Sequence, residues 1–308
     1  MSETTYCDGL YELEHAYDGF IIDQWGVLHH GLELYPGTMQ ALNKLKAHKK
    51  QVVILSNSGK RADYNKERLK ELGIKPSSYV DIVTAGEVVW QGLSTRDSGV
   101  FEGLGDICYL ISRNNDREIL KGLDIVVTDQ IEEADFILIT GVDAPEKTIE
   151  YYEPVLRKAV AKGLPAICAN PDLVTVFGKE RQMGPGAVAQ RYKEFGGVAH
   201  FIGKPHKPIF QKCLDAFKGI IPSRVLMIGD SLYHDVAGAK TLNLDTAFVT
   251  SGIHSQNFKD KMPIDQKMRN LEHLTQNYGV HPEWAMDQLI WQSAEAAKLE
   301  KERESWVD

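Results

Sequence analysis

The chain is 308 residues long, more than one hydrophobic core usually serves, so one large or two moderate domains are expected. Its hydrophobic content of 43% and charged content of 25% are typical of a soluble globular protein. The formal net charge of -8 argues against a nucleic-acid partner, which usually requires a basic surface. An anionic substrate remains compatible with this charge, because a bound divalent cation can reverse the local field.

The cysteines and the N-terminus indicate the compartment. Cys7, Cys108, Cys168 and Cys213 are widely spaced and form no CxxC pair, which predicts buried free thiols rather than zinc ligands or disulfides. The N-terminal residues include acidic side chains and no apolar core, unlike a secretory signal. No apolar run approaches the roughly 20 residues that cross a bilayer. We therefore predict a cytoplasmic protein with no membrane contact.

Aliphatic runs alternate with helical patterns along the chain. In order, the first segments are a strand over 20–23, a helix after Pro36-Gly37, a strand over 51–55 and a helix over 61–72 that ends at Gly73. A middle block predicts strands over 107–111, 125–127, 136–140 and 166–169, with helices over 146–162 and 187–195. The last segments are a helix over 208–217, strands over 225–228 and 247–250, and a helix over 284–308 that ends in the charged run 298–305. This alternation indicates one parallel sheet built from both ends of the chain, with a second α/β domain inserted.

Carboxylates follow two of the predicted strands. Asp23 ends the first, and Gly229-Asp230 follows the strand at 225–228, with Asp235 close behind. Asp23 alone is equally consistent with a surface or capping aspartate. However, clustered carboxylates after buried strands repel one another unless a cation or hydrogen bonds offset their charge. The pattern therefore predicts a Mg2+ site at the carboxyl edge of the sheet, where a carboxylate can also attack phosphorus.

Two further segments offer groups that suit a phosphoryl oxygen. Ser56-Asn57-Ser58 follows the second strand and supplies hydroxyls, an amide and backbone N–H groups, although a plain strand-to-helix turn has the same composition. Lys204 lies in Gly203-Lys204-Pro205-His206 and could neutralise phosphate charge, although a solvated surface lysine is the commoner case.

The order of these motifs resembles the haloacid dehalogenase superfamily. In that pattern a nucleophilic aspartate, a serine or threonine, a lysine and a GD(x)4D motif follow one another, and here they are Asp23, Ser56, Lys204 and Gly229-Asp230 with Asp235. The resemblance implies an α/β fold: a Rossmann-like core with a parallel sheet and helices on both faces, plus an inserted α/β cap domain. We expect the core over residues 1–84 and 200–308, and the cap over 85–199.

The middle block is similar to the NagD-like branch, subfamily IIA, which has a large α/β cap between the serine and lysine motifs. The similar segments are Ile139 to Asp143, Asn170-Pro171-Asp172, Gly184-Pro185-Gly186-Ala187 and Ile202 to Pro205. That branch includes phosphatases for nucleotides, sugar phosphates, pyridoxal phosphate and phosphoglycolate. The resemblance implies that the loop with Asn170 and Asp172 faces the active site and helps to select the substrate.

The resemblance also implies a role for each site residue. Asp23 would be the nucleophile, and Ser56 and Lys204 would act with it in catalysis. The implied Mg2+ ligands are Asp23, the backbone carbonyl of Trp25, Asp230 and Asp235; the implied phosphate and substrate contacts are Ser56, Asn57, Ser58, Lys204, Asn170 and Asp172. We therefore expect a Mg2+-dependent phosphatase that hydrolyses a small phosphorylated metabolite through an aspartyl phosphate.

Trp25 departs from the family pattern. The family's phosphatases have a second aspartate at this position, and its side chain protonates the leaving oxygen and then activates water. Trp25 supplies the carbonyl but no proton. General acid–base help is typically worth about 10² to 10⁴ in rate. Three alternatives stay open: His29 or His30 replaces the acid, the substrate has a good leaving group, or the site binds a phosphorylated ligand with little turnover.

The alternative function is thus a catalytically weak or inactive phosphometabolite-binding protein on the same fold. A phosphonatase would need a cap lysine that forms a Schiff base, and the sequence identifies none. Dehalogenation is disfavoured by Asp230 and Asp235, because that chemistry in the family does not use the metal. An exposed cap surface or the helix at Trp284 is a candidate contact for a homodimer.

Overall fold

The computed structural model describes residues 4–97, 99–177, 180–259, 261–294 and 296–298. They form two compact units. The first comprises Met1–Leu55, Leu69–Asp81 and Phe210–Asp308, as far as those ranges are described, and the second comprises Ser56–Arg68 and Ile82–Ile209. The division into a core over 1–84 and 200–308 and a cap over 85–199 stays a prediction.

The strands are numbered along the chain. They are β1 Thr5–Tyr6, β2 Gly19–Asp23, β3 Gln51–Ser56, β4 Asp81–Thr84, β5 Ile107–Ile111, β6 Val126–Thr128, β7 Phe136–Ile139, β8 Pro165–Cys168, β9 Val174–Phe177, β10 Glu180–Met183, β11 Val198–Phe201, β12 Val225–Gly229, β13 Asp245–Val249 and β14 Trp284–Met286. The α-helices are α1 Thr38–Ala47, α2 Ala62–Glu71, α3 Ala85–Thr95, α4 Ile149–Lys162, α5 Pro185–Glu194, α6 Lys207–Ala216, α7 Gly238–Lys240 and α8 Ile264–Tyr278. A π-helical turn over Leu232–Ala237 precedes α7.

The first unit contains a parallel sheet that both ends of the chain build. Six of its strands lie in the order β1, β14, β13, β12, β2, β3. Every residue of β2 and β12 is buried, as expected for strands that are covered on both faces and read as continuous apolar runs. Because β2 and β12 are parallel neighbours, their carboxyl ends lie at the same edge.

The second unit has a five-stranded parallel sheet in the order β11, β8, β7, β5, β6, and an antiparallel hairpin of β9 and β10. Strand β7 lies at its centre. Ile137 and Ile139 pack into one apolar cluster, and Phe136 and Leu138 pack into another. Successive side chains of a strand point to opposite faces, so this alternation places a core on each side of the sheet.

The fold class predicted from the sequence is confirmed, since both units are α/β with parallel sheets. The predicted helix over 284–308 is wrong at its start: Trp284–Met286 is strand β14, which pairs with β13 and β1. A helical hydrogen bond, from the Ala297 N–H to the Ser293 carbonyl, appears only after it. The charged run from residue 299 onward lies outside the described residues.

Within the described part of the chain, none of the helices has the length and apolar character that spanning a membrane requires.

Candidate active site

Three carboxylates meet at the carboxyl edge of the first unit's sheet. Asp23 is the last residue of β2, Asp230 directly follows β12, and Asp235 lies in the π-helical turn after it. All three side chains are buried, and one oxygen from each lies within 4.8 Å of the others. The structure thus brings together the three acidic residues that the sequence predicts as metal ligands.

Backbone N–H groups hold one oxygen of each carboxylate. The Gln24 N–H donates to Asp23 Oδ1 at 2.7 Å, and the Ile253 N–H donates to Asp230 Oδ2 at 2.7 Å. The Ser231 N–H donates to Asp235 Oδ2 at 3.0 Å. These backbone donors fix the orientation of all three carboxylates at the edge of the sheet.

Two glycines leave room for the carboxylate of Asp230. A Cβ atom at Gly26, whose φ is +85°, or at Gly252 would lie 1.9 Å from Asp230 Oδ2. No side chain fits at either position without displacing Asp230. The turn after β2 and the loop after β13 therefore approach this carboxylate as bare backbone, which fixes its place beside Asp23.

The donor set fits a hard divalent cation. Three buried carboxylates within 4.8 Å repel one another strongly, and a cation bound by their oxygens offsets that repulsion. Hard cations such as Mg2+ and Ca2+ prefer oxygen ligands and accept two or three carboxylates, with water and carbonyl oxygens completing the shell. Asp23, Asp230 and Asp235 are the residues that would hold it.

Trp25 lies in the turn that follows Asp23. Its side chain is 37% exposed, its indole packs edge-on against the His29 ring with centroids 5.0 Å apart, and a Cβ at Gly31 would lie 2.3 Å from the indole. The turn thus has a flat recess for this ring. Trp25 is held as a partly exposed aromatic surface rather than as a core residue.

His29 supports this turn from inside. It is buried, not exposed as a turn histidine usually is, and its Nδ1 accepts a hydrogen bond from the Gly31 N–H at 2.9 Å. A neutral ring with an accepting Nδ1 has its proton on Nε2, which lies 3.1 Å from the side-chain amide of Gln24. The Gln24 oxygen is the group that can accept that proton, so the amide is assigned with Oε1 toward His29. Because both ring nitrogens have partners in the turn, the geometry favours a structural role for His29 over proton donation to a substrate.

His30 is half-buried, and its ring packs edge-on against Tyr35 with centroids 5.7 Å apart. The pKa of Tyr35 is raised by burial and, to a smaller extent, by the negative charge of Asp230. The effect of Asp230 on this pKa shows that Tyr35 lies in the electrostatic field of the acidic cluster. The sequence analysis did not identify Tyr35.

The second unit brings together three other predicted residues. Asn57 Nδ2 donates to Asp172 Oδ1 at 2.8 Å and to the Lys204 carbonyl at 3.3 Å, and the Lys204 N–H donates to Asn57 Oδ1 at 2.7 Å. Asn57 and Lys204 are both buried. The segments that follow β3, β8 and β11 are therefore joined through one side chain.

The remaining predicted residues stabilise their own turns. Ser56 Oγ accepts from the Ser58 N–H at 3.2 Å, and Ser58 Oγ accepts from the Lys60 N–H at 3.2 Å. Asn170 Oδ1 accepts from the Asp172 N–H at 3.0 Å, which closes a short turn at the end of β8. The hydroxyls of Ser56 and Ser58 keep their own protons for donation, because each acts only as an acceptor in these bonds.

The sequence analysis missed the residues that shape the acidic cluster. Gly26, Gly252 and the Ile253 N–H all contact or border Asp230. Gly252 has one weak sequence signal, its place shortly after a predicted strand, where a parallel sheet has its functional loops.

Comparisons with known proteins identify the family of this chain. A family model described as haloacid dehalogenase-like hydrolase matches residues 20–126, and a second, HAD-hydrolase-like model matches residues 201–276. An acid sugar phosphatase from Staphylococcus haemolyticus is 30% identical over 244 residues, which cover 77% of this chain and 86% of that protein.

Solved structures show the same fold. A haloacid dehalogenase-like hydrolase from Brucella suis superposes with a TM-score of 0.77 at 26% identity, covering 92% of this chain and 100% of that one. NagD from E. coli superposes with a TM-score of 0.62 at 21% identity, covering 89% and 97%. With the sequence match over most of both chains, these likenesses establish that this chain belongs to the haloacid dehalogenase-like hydrolases and is a phosphatase of that family.

Proposed function

We propose that this protein hydrolyses the phosphate monoester of a small sugar or a related metabolite, with Mg2+ bound by Asp23, Asp230 and Asp235 and with Asp23 as the nucleophile. The observation that supports this proposal most directly is the cluster of three buried carboxylates within 4.8 Å at the edge of the sheet. A structural cluster of this kind would be unfavourable without a cation. Bound there, Mg2+ would neutralise the carboxylates and the negative charge of the phosphoryl group.

Asp23 is suited to attack at phosphorus. The Gln24 N–H fixes Oδ1, which orients the carboxylate at the end of β2. In the first step an oxygen of Asp23 forms a bond to phosphorus while the bond from phosphorus to the leaving oxygen breaks. In the second step water attacks the same phosphorus, which releases inorganic phosphate and restores the carboxylate.

Ser56 and Lys204 would contact the phosphoryl oxygens. Ser56 directly follows Leu55, which is the register partner of Asp23 in the sheet. The Ser56 and Ser58 hydroxyls have protons to donate, and the buried Lys204 would supply a positive charge. A buried ammonium is a strong electrostatic partner for a phosphoryl group that gains charge during transfer.

Trp25 sets the limit on the leaving group. The indole N–H is too weak an acid to protonate an alkoxide, and His29 has both ring nitrogens engaged in the turn. With no acid at these two positions, the leaving oxygen would take its proton from water or from His30, whose ring packs against Tyr35. Aryl and acyl phosphates, which leave without protonation, should react faster than sugar phosphates.

The sugar phosphate class comes from the relative from Staphylococcus haemolyticus, which is named as an acid sugar phosphatase. Sugar phosphates are therefore the substrate class that the proposal names first.

The test is phosphate release from p-nitrophenyl phosphate, acetyl phosphate, sugar phosphates and nucleotides, with and without Mg2+. Asp23→Asn should abolish turnover, since an amide is not a nucleophile here, and should weaken the rise in Tm that Mg2+ produces. Asp265→Asn is the matched control: the same chemical change at an exposed residue of α8, which pairs with Arg269, should leave turnover unchanged.

Mg2+-dependent turnover that disappears in Asp23→Asn supports the proposal. Undiminished turnover in Asp23→Asn contradicts the assignment of the nucleophile. Absence of turnover across the panel, together with a rise in Tm on adding one phosphorylated ligand, would instead support the binding-protein function that Trp25 suggests.

A further inference from the structure

The side chain of Asn57 is fully occupied by protein groups. Its Oδ1 accepts from the Lys204 N–H at 2.7 Å, and its Nδ2 donates to Asp172 Oδ1 at 2.8 Å and to the Lys204 carbonyl at 3.3 Å. Both Nδ2 protons are therefore used, and a side-chain amide has only two. The Asn57 side chain cannot donate to a phosphoryl oxygen without breaking one of these bonds.

The backbone before Lys204 fits closely between Asn57 and the turn that contains Asp172. Gly203 has a φ of +138°, and a Cβ there would lie 2.6 Å from Asn57 Oδ1 and 2.7 Å from Pro171 Cδ. Only glycine fits at this position, both for its φ and for the space. The position of the Lys204 backbone is thus set by Asn57 on one side and by Pro171 on the other.

Asp172 is itself held firmly. Its N–H donates to Asn170 Oδ1 at 3.0 Å, and its carbonyl accepts from the Gly186 N–H at 3.0 Å. A Cβ at Gly184 would lie 2.1 Å from the Asp172 carbonyl oxygen, so the turn packs directly on the start of α5. A carboxylate that is fixed in this way can orient the amide that donates to it.

We propose that Asn57 and Asp172 are positioning residues for Lys204 rather than ligands of the substrate. Asp172 orients the Asn57 amide, and Asn57 holds the Lys204 peptide by its N–H and its carbonyl. Their bonds place the lysine that the proposed function assigns to the phosphoryl group, and the inference rests on that function. This role also explains why residue 203 is a glycine, since a Cβ there would collide with Asn57 Oδ1.

The test exchanges the two side chains. Asn57→Asp places a carboxylate opposite the carboxylate of Asp172 and removes the donor between them, so repulsion should displace Asn57's segment and Lys204. Asp172→Asn replaces the carboxylate oxygen by an amide oxygen, which is a weaker acceptor for the same bond. Asn57→Asp combined with Asp172→Asn again pairs a donor with an acceptor across this gap, as a double-mutant cycle requires, but it leaves the Lys204 carbonyl without its donor, so partial recovery is expected.

Two quantities are measured for each variant: kcat and KM on p-nitrophenyl phosphate, and the rise in Tm caused by inorganic phosphate. Misplacing a catalytic group by about 1 Å can lower the rate about 10²-fold, so a loss of this size in kcat/KM is expected for Asn57→Asp. The phosphate-induced rise in Tm should shrink strongly in Asn57→Asp and less in Asp172→Asn, and the exchanged pair should recover part of the loss of Asn57→Asp. The Mg2+ concentration for half-maximal activity should not change, because Asp23, Asp230 and Asp235 are untouched.

Asn277→Asp is the matched control, since it makes the same chemical change at an exposed position on α8 and should leave both quantities unchanged. The inference is overturned if the exchanged pair is no better than the worse single variant. It is also overturned if Asp172→Asn alters the preference among substrates while the phosphate-induced rise in Tm stays at its wild-type value. If a single variant is too unstable for kinetics, recovery of Tm and of the phosphate effect in the exchanged pair supports the contact, and failure to recover rejects it.

Should the wild-type protein show no turnover, the proposed function fails. The phosphate-induced rise in Tm then still decides whether Asn57 and Asp172 position a phosphate-binding lysine.

Discussion

Trp25 and its neighbours form a turn that holds an aromatic ring next to Asp23 in the chain. The indole rests in the recess at Gly31 and against the ring of His29, which is fixed by the Gly31 N–H. A glycine, a buried histidine and a tryptophan thus depend on one another. A substitution at Trp25 is therefore expected to affect the whole turn and not one side chain alone.

Trp25→Asp tests whether the missing acid limits the rate. If it does, kcat on sugar phosphates should rise by about 10²-fold, the lower end of the usual benefit of general acid–base help. Activity on p-nitrophenyl phosphate should change little, because its leaving group needs no proton. Loss of the contact with His29 should also lower the free energy of unfolding by about 1 kcal/mol, as for other aromatic pairs. The measurement is the ratio of kcat on the two substrates.

Trp25→Asn is the control for this change. It removes the same ring and has nearly the same shape as aspartate, but it provides no proton. Equal effects of the two substitutions would show that the indole matters for packing and that another group already protonates the leaving oxygen.

At the scale of the element, β2 has an aspartate at each end: Asp23 belongs to the acidic cluster, and Asp18 forms ion pairs with basic residues. Asp23 lies at the carboxyl end, in the acidic cluster, whereas Asp18 precedes the strand and is half-exposed. Asp18 Oδ2 accepts from Arg224 Nε at 2.8 Å, and Oδ1 accepts from Lys50 Nζ at 3.1 Å. Its backbone also bonds Arg224 and Gln51, so it joins the starts of β2, β3 and β12.

These ion pairs make a pH-dependent contribution to stability. The hydrogen bonds from Arg224 and then Lys50 lower the pKa of Asp18 to about 2. Because the folded-state pKa lies below the unfolded value of about 3.9, the stabilisation is complete above about pH 4 and is lost as pH falls toward 2. Since Asp18 is half-exposed, solvent screening limits it to about 1 kcal/mol.

Asp18→Asn should therefore lower Tm by a few degrees at pH 7, with the difference from the wild type shrinking between pH 4 and pH 2. The measurement is Tm of both proteins over that pH range. A difference that stays constant with pH would mean that shape, not charge, accounts for the effect. Turnover at pH 7 should not change, because Asp18 lies at the opposite end of β2 from Asp23.

The sequence predicts the central strands well because they are buried on both faces. Strands β2, β3, β7 and β12 are continuous aliphatic runs, and each is found where it is predicted. The edge strands β1 and β14 are two and three residues long, too short for a periodic pattern. Residues 284–286 form a strand because β13 and β1 pair with them, and neither partner is near in sequence.

Helix α8 differs from the edge strands, because its helical pattern is visible in the sequence although no helix is predicted there. Ile264, Met268, Leu271 and Thr275 recur at helical spacing, and Gly279 follows in the left-handed conformation that ends many helices. The helix lies beyond the last predicted strand at 247–250, in a part of the chain that no recognised motif covers.

The acidic cluster is predictable because each aspartate follows a buried strand. Its fine structure is not, because the Ile253 N–H and Gly252 reach Asp230 from another loop. The contact of Asn57 with Asp172 joins positions 115 residues apart. No local sequence pattern encodes such a long-range pairing. The sequence predicts Asn57 as a phosphate contact, whereas in the structure its side chain bonds Asp172 and the backbone of Lys204.

At the scale of the whole molecule, the chain ends close the first unit. The Leu10 and Tyr11 N–H groups donate to the carbonyls of Ile290 and Trp291, beside the pairing of β1 with β14. Cys7 lies under this junction, and its thiol donates to the Ala285 carbonyl at 3.3 Å. The reactivity of the Cys7 thiol toward a reagent therefore indicates whether β1 and β14 are paired.

The four cysteines together report on both units. Cys7 and Cys213 lie in the first unit and Cys108 and Cys168 in the second, and all four are free and buried, as the sequence predicts. Burial raises the pKa of Cys7, Cys108 and Cys168 to about 12. At pH 8 such a thiol is thiolate in a fraction of about 10⁻⁴, and the thiolate is the reactive form.

Ellman's reagent at pH 8 should therefore react with none of the four thiols of the native protein and with all four in guanidinium chloride. A reducing agent should leave Tm unchanged, since no disulfide joins these cysteines. At intermediate denaturant, release of two thiols before the other two would show that one unit unfolds first, and labelling identifies which. A native protein that exposes one thiol at once would contradict the burial described here, and labelling of Cys7 in particular would mean that the junction of β1 and β14 opens in solution.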